Sequence, residues 1–226
     1  MHFIDPTFIL VIVALIFAMI AQQQVMGKYK KYAKVPNSIG MTGAQIARRM
    51  LDDHSLQNIV IQRIQGSLTD NYHPIKKTIF LSEGVFDSYS ISAISIAAHE
   101  TGHALQYASG YLPVKLRGNL VPSANLGSTL AFPMFIFGLL FSIPFLMDLG
   151  IWLFAAALIF HVITLPVEFN ASHRAIQYLK TNYLHDSMEL NGAKAVLNAA
   201  ALTYVASTLM ALAQFLRLII LRGSRR

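Results

Sequence analysis

Long apolar runs dominate the hydrophobic pattern of this chain. Four of them are long enough for a helix to cross a bilayer, and they cover residues 3–21, 126–147, 149–167 and 195–221. Only Asp148 separates the second run from the third, so these two are expected to form a helical hairpin, with Pro133 and Pro144 as candidate kinks. The pattern therefore predicts a mainly α membrane protein with multi-pass transmembrane helices.

The basic residues indicate how these helices are oriented. Lys and Arg are absent from residues 1–27 and 118–173, whereas four lysines follow the first run between residues 28 and 34. Because positive charge concentrates on the cytosolic side of a membrane, the N-terminus is expected to lie outside. A signal peptide would have a basic start and a small-residue cleavage site. Neither is present, so the first run is predicted to be an uncleaved anchor.

The last apolar run allows two interpretations. It is long enough to span a bilayer, but Arg217 lies within it and three arginines follow it, so a crossing would place a basic tail outside. A polar stripe fits either a helix packed against the others or one lying along the inner membrane surface, and it consists of Thr203, Ser207, Gln214 and Arg217. We expect a fourth span.

Composition agrees with a membrane protein and helps to decide between lipid and nucleic acid as its partner. Of 226 residues, 54% are hydrophobic and only 13% are charged, and the mean hydropathy of +0.49 is too high for an ordinary soluble domain. The net charge of +7 could suggest nucleic acid, but the basic residues avoid the long apolar runs, as membrane topology requires. The expected partner is therefore the lipid bilayer and not nucleic acid. The lack of Cys excludes disulfides and cysteine-ligated zinc.

The more polar stretch between the first two apolar runs is expected to be a small α+β cytosolic domain. Its pattern predicts a short helix over residues 42–51, strands over 59–64 and 78–81, and a helix that begins at Asp87 or Ser88 and ends near Ser109. The chain then divides into an N-terminal anchor, this domain, the hairpin, a second cytosolic segment and a C-terminal helix with a basic tail. These parts cover residues 1–27, 28–123, 124–167, 168–194 and 195–226.

A His-Glu-x-x-His motif lies in the second of these helices. The i, i+4 spacing puts His99 and His103 on one helix face, where both imidazoles can bind one Zn²⁺, and Glu100 can then act as the base that takes a proton from water. Small neighbours such as Gly102 suit a metal helix packed into a core. A helix with two histidines that merely satisfy core hydrogen bonds is the alternative. The motif predicts metallohydrolase chemistry.

A catalytic zinc site needs a third protein ligand. A further histidine in the pattern His-x-x-Gly-x-x-His is excluded, because Gln106 and Ser109 occupy those positions. The remaining candidates follow the hairpin on the side predicted for His99, and from the residues alone they stay open: Glu168, His173, Asp186 and Glu189.

The predicted strands and one further histidine each allow two interpretations. An exposed edge strand before the metal helix could pair with a substrate backbone, as zinc proteases use such strands, or the two strands could form a purely structural hairpin. His161 lies inside the third apolar run, where a histidine is a functional candidate but can equally satisfy a backbone carbonyl.

Two resemblances narrow these alternatives. The segment from Glu168 to Ala175 resembles the third-ligand segment of the CAAX prenyl protease and HtpX type, Glu-x-x-Ala-Asp-x-x-Ala, except that Ser172 stands where that pattern has Asp. Over nearly its full length the chain resembles the bacterial YugP-like neutral zinc metallopeptidases. The motifs that carry this likeness are Met-Thr-Gly-Ala at 41–44, Ser-Glu-Gly-Val at 82–85, His-Glu-Thr-Gly-His-Ala at 99–104, Pro-Ser-Ala-Asn at 122–125 and Pro-Val-Glu-Phe-Asn-Ala-Ser at 166–172.

The resemblance implies a multi-pass zinc endopeptidase of the bacterial cell membrane with a zincin-like cytosolic domain. It implies that His99, His103 and Glu168 bind Zn²⁺ and that Glu100 is the general base. His173 is expected to stabilise the oxyanion. The substrate is expected to be a polypeptide, either a membrane protein or an unfolded protein.

Two other functions compete with this one. An intramembrane protease of the site-2 type would take an Asp from a Leu-Asp-Gly segment, but here the order is Asp148-Leu149-Gly150, on the side predicted to lie outside. A non-catalytic scaffold or chaperone-like binder would hold a structural metal with four protein ligands, for which His173 or Asp186 would have to join.

Overall fold

The computed structural model describes residues 7–224, which are mainly helical with one small sheet. In chain order the elements are α1 (Phe8–Tyr32), α2 (Gly43–Asp53), β1 (Val60–Ile64), β2 (Asn71–His73), β3 (Thr78–Ser82), α3 (Glu83–Phe86), α4 (Ile91–Ala108), α5 (Leu112–Leu140), α6 (Pro144–Asn182) and α7 (Ser187–Gly223). Helices α1, α5, α6 and α7 are long and apolar enough to cross a membrane. The expected mainly α membrane protein is confirmed.

The chain divides into two units. The helical unit comprises Met1–Gln22, Lys115–Pro166 and Thr203–Arg226, and the sheet unit comprises Gln23–Val114 and Val167–Leu202. Helices α1, α5, α6 and α7 contribute residues to both units, and the expected boundary at residue 123 falls inside α5.

Charged residues mark one end of the helical unit. The Arg222 guanidinium donates to both carboxylate oxygens of Asp148, from Nε at 2.7 Å and from Nη2 at 3.1 Å. Arg217 lies over the ring of Phe8, 5.0 Å from its centroid. The start of α1, the start of α6 and the end of α7 therefore lie together. Pairing with Asp148 offsets the charge of Arg222 at that end.

The hairpin turn lies earlier in the chain than expected. The sequence places it at Asp148, but α5 ends at Leu140 and α6 begins at Pro144, so Asp148 lies within the first turns of α6. Ser142 in the turn has a φ of 55°, and Pro144 opens the next helix, where its missing N–H costs nothing. Asp148 therefore forms an ion pair with Arg222 and is not part of the turn. The turn consists of Phe141, Ser142 and Ile143.

The sheet unit contains a mixed sheet with strand order β1-β3-β2. The two strands expected from the sequence, β1 and β3, are parallel in the register Val60 to Thr78, so they do not form a hairpin. The short strand β2, which the sequence pattern does not indicate, lies in the linking segment and pairs antiparallel with the other side of β3. β3 is therefore the central strand, and β1 and β2 are the edges.

Helix α4 passes through the core of the sheet unit. It begins two to three residues later than expected, with Ser90 as N-cap, because the Ser90 hydroxyl accepts a hydrogen bond from the N–H of Ala93. The segment before it forms the short helix α3, which ends at Phe86 with Asp87 as its C-cap. Every residue from Ile91 to Gln106 except Ile96 is buried. The helix ends at Ala108, before Gly110 with a φ of 66°.

Candidate metal centre

The two histidines of α4 and one glutamate of α6 meet in the core of the sheet unit. Glu168 Oε2 lies 3.3 Å from His99 Nε2 and 3.4 Å from His103 Nε2. The imidazole rings stand nearly perpendicular, with centroids 4.7 Å apart. One ligand atom from each residue lies within 4.8 Å of the other two, and all three residues are buried. The spacing of four residues on a helix accounts for the histidine pair, and α6 supplies the third group.

Gly102 allows α6 to approach α4 this closely. A Cβ atom at Gly102 would lie 2.7 Å from the carbonyl oxygen of Ala171, which is backbone and cannot rotate away. Glu168 lies one turn before Ala171 on α6, so the close contact at Gly102 sets how near the carboxylate comes to the histidines. Glycine costs about 1 kcal/mol inside a helix relative to Ala, and this contact explains why it is present.

Gln106 fixes the orientation of His103. Its Oε1 lies 3.0 Å from His103 Nδ1, and its Nε2 donates to the Val167 carbonyl at 2.7 Å and to Asn170 Oδ1 at 3.1 Å. Because a carbonyl can only accept, the amide orientation is determined, and Oε1 must accept a proton from Nδ1. A neutral His103 therefore presents the lone pair of Nε2 towards Glu168. Arg174 Nε completes the network by donating to Asn170 Oδ1 at 2.8 Å.

Ser172 is the corresponding neighbour of His99, with Oγ 3.1 Å from Nδ1. A hydroxyl can accept from Nδ1–H and so leave Nε2 of His99 free to bind a metal. This is the position at which the related pattern has Asp, and a neutral hydroxyl takes the role of the carboxylate. Ser172 therefore contacts His99 directly, whereas Asn170 acts on His103 through Gln106.

Glu100 lies beside the cluster and is 8% exposed. Within residues 7–224 its carboxylate makes no hydrogen bond, so it can accept one from a water molecule. Burial raises the pKa of Glu100, while the charges of His99 and His103 act in the opposite direction. Asp70 also acts electrostatically on Glu100, and it is held in place because it accepts from the backbone N–H of Ser82 at 2.7 Å.

The other sequence candidates lie elsewhere. His173 is exposed on α6 and is not part of the group formed by His99, His103 and Glu168. Asp186 is exposed and accepts from the N–H of Met188 at 3.0 Å. Glu189 is buried and accepts from both the N–H and the hydroxyl of Ser38. Of the four candidates for the third ligand, the structure brings only Glu168 to the histidines.

Comparison with known proteins identifies the family. Residues 7–223 match the family described as "Putative neutral zinc metallopeptidase". The chain belongs to this family. It is also 45% identical over 212 residues to the "Putative membrane protease YugP" of Bacillus subtilis (strain 168), a match that covers 94% of each chain. No solved structure matches the chain.

The residues in the core fit the zinc that this family implies. Two imidazole nitrogens and a carboxylate oxygen are a common donor set of catalytic zinc. With both histidines neutral, lone pairs on two nitrogens would face a carboxylate oxygen at 3.3 and 3.4 Å, an arrangement that repels unless a proton or a cation lies among them. Each Nδ1 has a hydrogen-bond partner, and such a partner fixes the ring so that Nε2 can bind zinc.

Sequence reasoning missed two aromatic residues near the site. Tyr107 lies four residues after His103, and therefore on the same face of α4 as both histidines. Its ring is 5.7 Å from that of Tyr72 on β2. This contact places the edge strand β2 beside the metal helix. The spacing of His99, His103 and Tyr107 was the available signal for Tyr107, whereas nothing local indicates Tyr72.

Proposed function

We propose that this membrane protein is a zinc-dependent endopeptidase that hydrolyses peptide bonds of membrane or unfolded proteins at the cytosolic face of the bacterial cell membrane. The convergence of His99, His103 and Glu168 around one point, with Glu100 buried beside them, is the observation that carries the proposal. The positive-inside pattern of the sequence supports the cytosolic location.

Each residue has a distinct role in the proposed mechanism. His99, His103 and Glu168 would hold Zn²⁺, which as a Lewis acid polarises the scissile carbonyl and lowers the pKa of water. Glu100 takes the proton of the attacking water and delivers it to the leaving amine. Gln106 and Ser172 keep the two imidazoles in the tautomer with Nδ1 protonated. His173 remains a proposal for the oxyanion, and its exposure on α6 gives that role no support.

The edge strand β2 is the best candidate for holding the substrate. β3 has neighbours on both sides, so it cannot pair with another chain. β2 is an edge strand, and Tyr72 connects it to the face of α4 that carries the histidines. An extended peptide added to β2 would gain backbone hydrogen bonds and run beside the metal helix.

The two competing functions have less support. A structural metal with four ligands would need His173 or Asp186, and among the described residues the group contains only three, which leaves a position for water. An intramembrane protease would place the metal helix in the bilayer, but α4 is not one of the four candidate spans found in residues 7–224.

Cleavage of casein by the purified, detergent-solubilised chain tests the proposal. Glu100→Gln at matched zinc content is expected to cut about 10²- to 10⁴-fold more slowly than the wild type, which is the usual contribution of a general base. Asp186→Asn, which removes an exposed carboxylate outside the site, serves as the control and should cut normally. If wild-type protein with bound zinc cut no faster than Glu100→Gln, the scaffold with a structural metal would replace the protease.

A further inference from the structure

The helical unit contains a cavity of about 470 Å³ between α1, α5, α6 and α7. This volume is within the range of sites that bind small ligands. Phe132 and Phe154 form part of its apolar wall. Polar side chains face the same space from all four helices, and these include Gln22, His161 and Gln214. Gln22 is exposed, so the cavity can be reached from outside the chain. None of the three proposed metal ligands lines it, because all three belong to the sheet unit.

The polar groups of the cavity lie at the depth of the hydrocarbon core. The Asp148–Arg222 pair marks one end of the unit. At a rise of about 1.5 Å per residue, Gln214 lies roughly 12 Å from that end along α7, and His161 lies roughly 20 Å from it along α6. The hydrocarbon core of a bilayer is about 30 Å thick. Both side chains are therefore expected near its middle, where water supplies few hydrogen bonds.

Two of these side chains have unused hydrogen-bonding groups. Gln214 Oε1 is buried and has no hydrogen-bond partner among residues 7–224. The His161 carbonyl accepts from Thr208, but its imidazole nitrogens make no hydrogen bond within the described chain. The centroid of this ring lies 5.9 Å from that of Phe160. Unsatisfied polar groups are costly in lipid. A partner from outside the chain would remove that cost.

The lining also limits the chemistry of this partner. None of the described lining residues is Lys, Arg, Asp or Glu, so nothing in the cavity compensates a charged ligand such as a lipid phosphate. The open groups are an acceptor on Gln214 and an imidazole that can donate and accept. A carboxamide is complementary to both, because its NH₂ donates to Gln214 while its carbonyl accepts from His161.

We propose that this cavity binds the uncharged amide side chain of an Asn or Gln carried by a transmembrane helix of a polypeptide substrate. The inference rests on the proposed function for the identity of the polypeptide, and it adds a recognition site within the membrane that is separate from the metal centre. Transmembrane helices carrying a central amide would be bound in preference to wholly apolar ones.

Peptide binding to a catalytically silenced chain tests the proposal. The full-length Glu100→Gln protein is placed in lipid nanodiscs with a labelled transmembrane peptide of Leu and Ala, which carries either one central Asn or Leu at the same position. The Asn peptide is expected to bind about three- to tenfold more tightly, as hydrogen bonds between helices in membranes allow. Gln214→Leu and His161→Leu should each reduce this preference, and Ala206→Phe, which fills the cavity, should abolish it.

Controls separate the cavity from general effects. Ile219→Ala changes an exposed apolar side chain on the same helix as Gln214 and should leave the preference unchanged, and thermal unfolding verifies that each variant is folded. Equal binding of both peptides, or a preference that survives Gln214→Leu and Ala206→Phe, would overturn the proposal. A further outcome is that mass spectrometry finds a phospholipid bound to the wild type and not to Gln214→Leu. If the two peptides then bind equally, the cavity is a lipid site and the proposal is overturned. Casein cleavage reports on the proposed protease independently, since it requires no transmembrane helix.

Discussion

His99 Nδ1 and Ser172 Oγ lie 3.1 Å apart, and this contact joins a histidine of α4 to the helix that carries Glu168. A hydroxyl has no charge, so it orients the imidazole without strongly increasing its basicity. The carboxylate found here in the related pattern would do both. The two histidines of this site are therefore both held by neutral side chains, Ser172 and Gln106.

Replacing Ser172 tests this difference. Ser172→Ala is expected to weaken zinc binding about tenfold, at the low end of the range for residues that orient metal ligands. Ser172→Asp should strengthen it, because a carboxylate stabilises the protonated Nδ1 and makes Nε2 a better donor. Competition with a chromophoric chelator measures both affinities. If Asp weakened zinc binding as much as Ala, the role of Ser172 would be packing alone.

Gln106 is expected to matter more than Ser172, because it is fully buried and bonds to three groups. Gln106→Leu leaves the Nδ1–H of His103 without an acceptor. Zinc affinity should fall about 10- to 100-fold, and the free energy of unfolding should fall by about 1–3 kcal/mol, the cost of an unsatisfied buried group. Chelator competition and chemical denaturation measure these two quantities. Gln177→Leu, an exposed change on α6, is the control and should alter neither.

Gly102→Ala is expected to destabilise the protein although alanine favours helix. Its Cβ would meet the Ala171 carbonyl at 2.7 Å and push α6 away from α4, so both melting temperature and zinc content should fall. Gly27→Ala on α1 is the matched control, because no atom lies within 4 Å of the added Cβ. That variant should gain up to about 1 kcal/mol from helix propensity. Similar behaviour of the two variants would contradict the close contact at Gly102.

Zinc and protons should compete at His103. Burial opposes protonation, but the hydrogen bond to Glu168 and the charge of Glu100 outweigh it, so the pKa of His103 is raised above 6.5 in the metal-free protein. The stabilisation from protonated His103 is thus fully present below about pH 6.5 and is lost as pH rises through the raised pKa. Zinc requires the neutral ring. The gain in melting temperature on adding zinc should therefore increase with pH.

Thermal unfolding in excess zinc and in excess EDTA, between about pH 5.5 and pH 8.5, measures this gain on both sides of the ordinary histidine pKa. His185→Gln removes an exposed histidine outside the site and should not change the pH dependence. A gain that is the same at every pH would show that His103 does not bind the metal.

Local patterns in the sequence were sufficient for part of the architecture. The position of His99 and His103 on one helix follows from the helical period, and the end of α4 follows from Gly110. The four candidate spans follow from the length of the apolar runs. The start of α4 was expected too early, because Ser88 and Ser90 are both good N-caps and only the contacts of the preceding segment decide between them.

Contacts between distant segments could not be predicted in this way. The parallel pairing of β1 with β3 depends on β2, whose three residues are too few to show an alternating pattern. The bonds of Gln106 to Val167 and Asn170 depend on how α4 packs against α6. The chosen third ligand, Glu168, rested on a family resemblance and not on any local rule.

The order of the proposed ligands along the chain couples completion of the site to synthesis of the membrane-spanning hairpin. His99 and His103 precede α5, and Glu168 follows most of the apolar part of α6, so two candidate spans are synthesised between the first two ligands and the third. A nascent chain that ends before this hairpin contains only two of the three proposed ligands, His99 and His103. The proposed metal centre would therefore be complete only after the hairpin had been made.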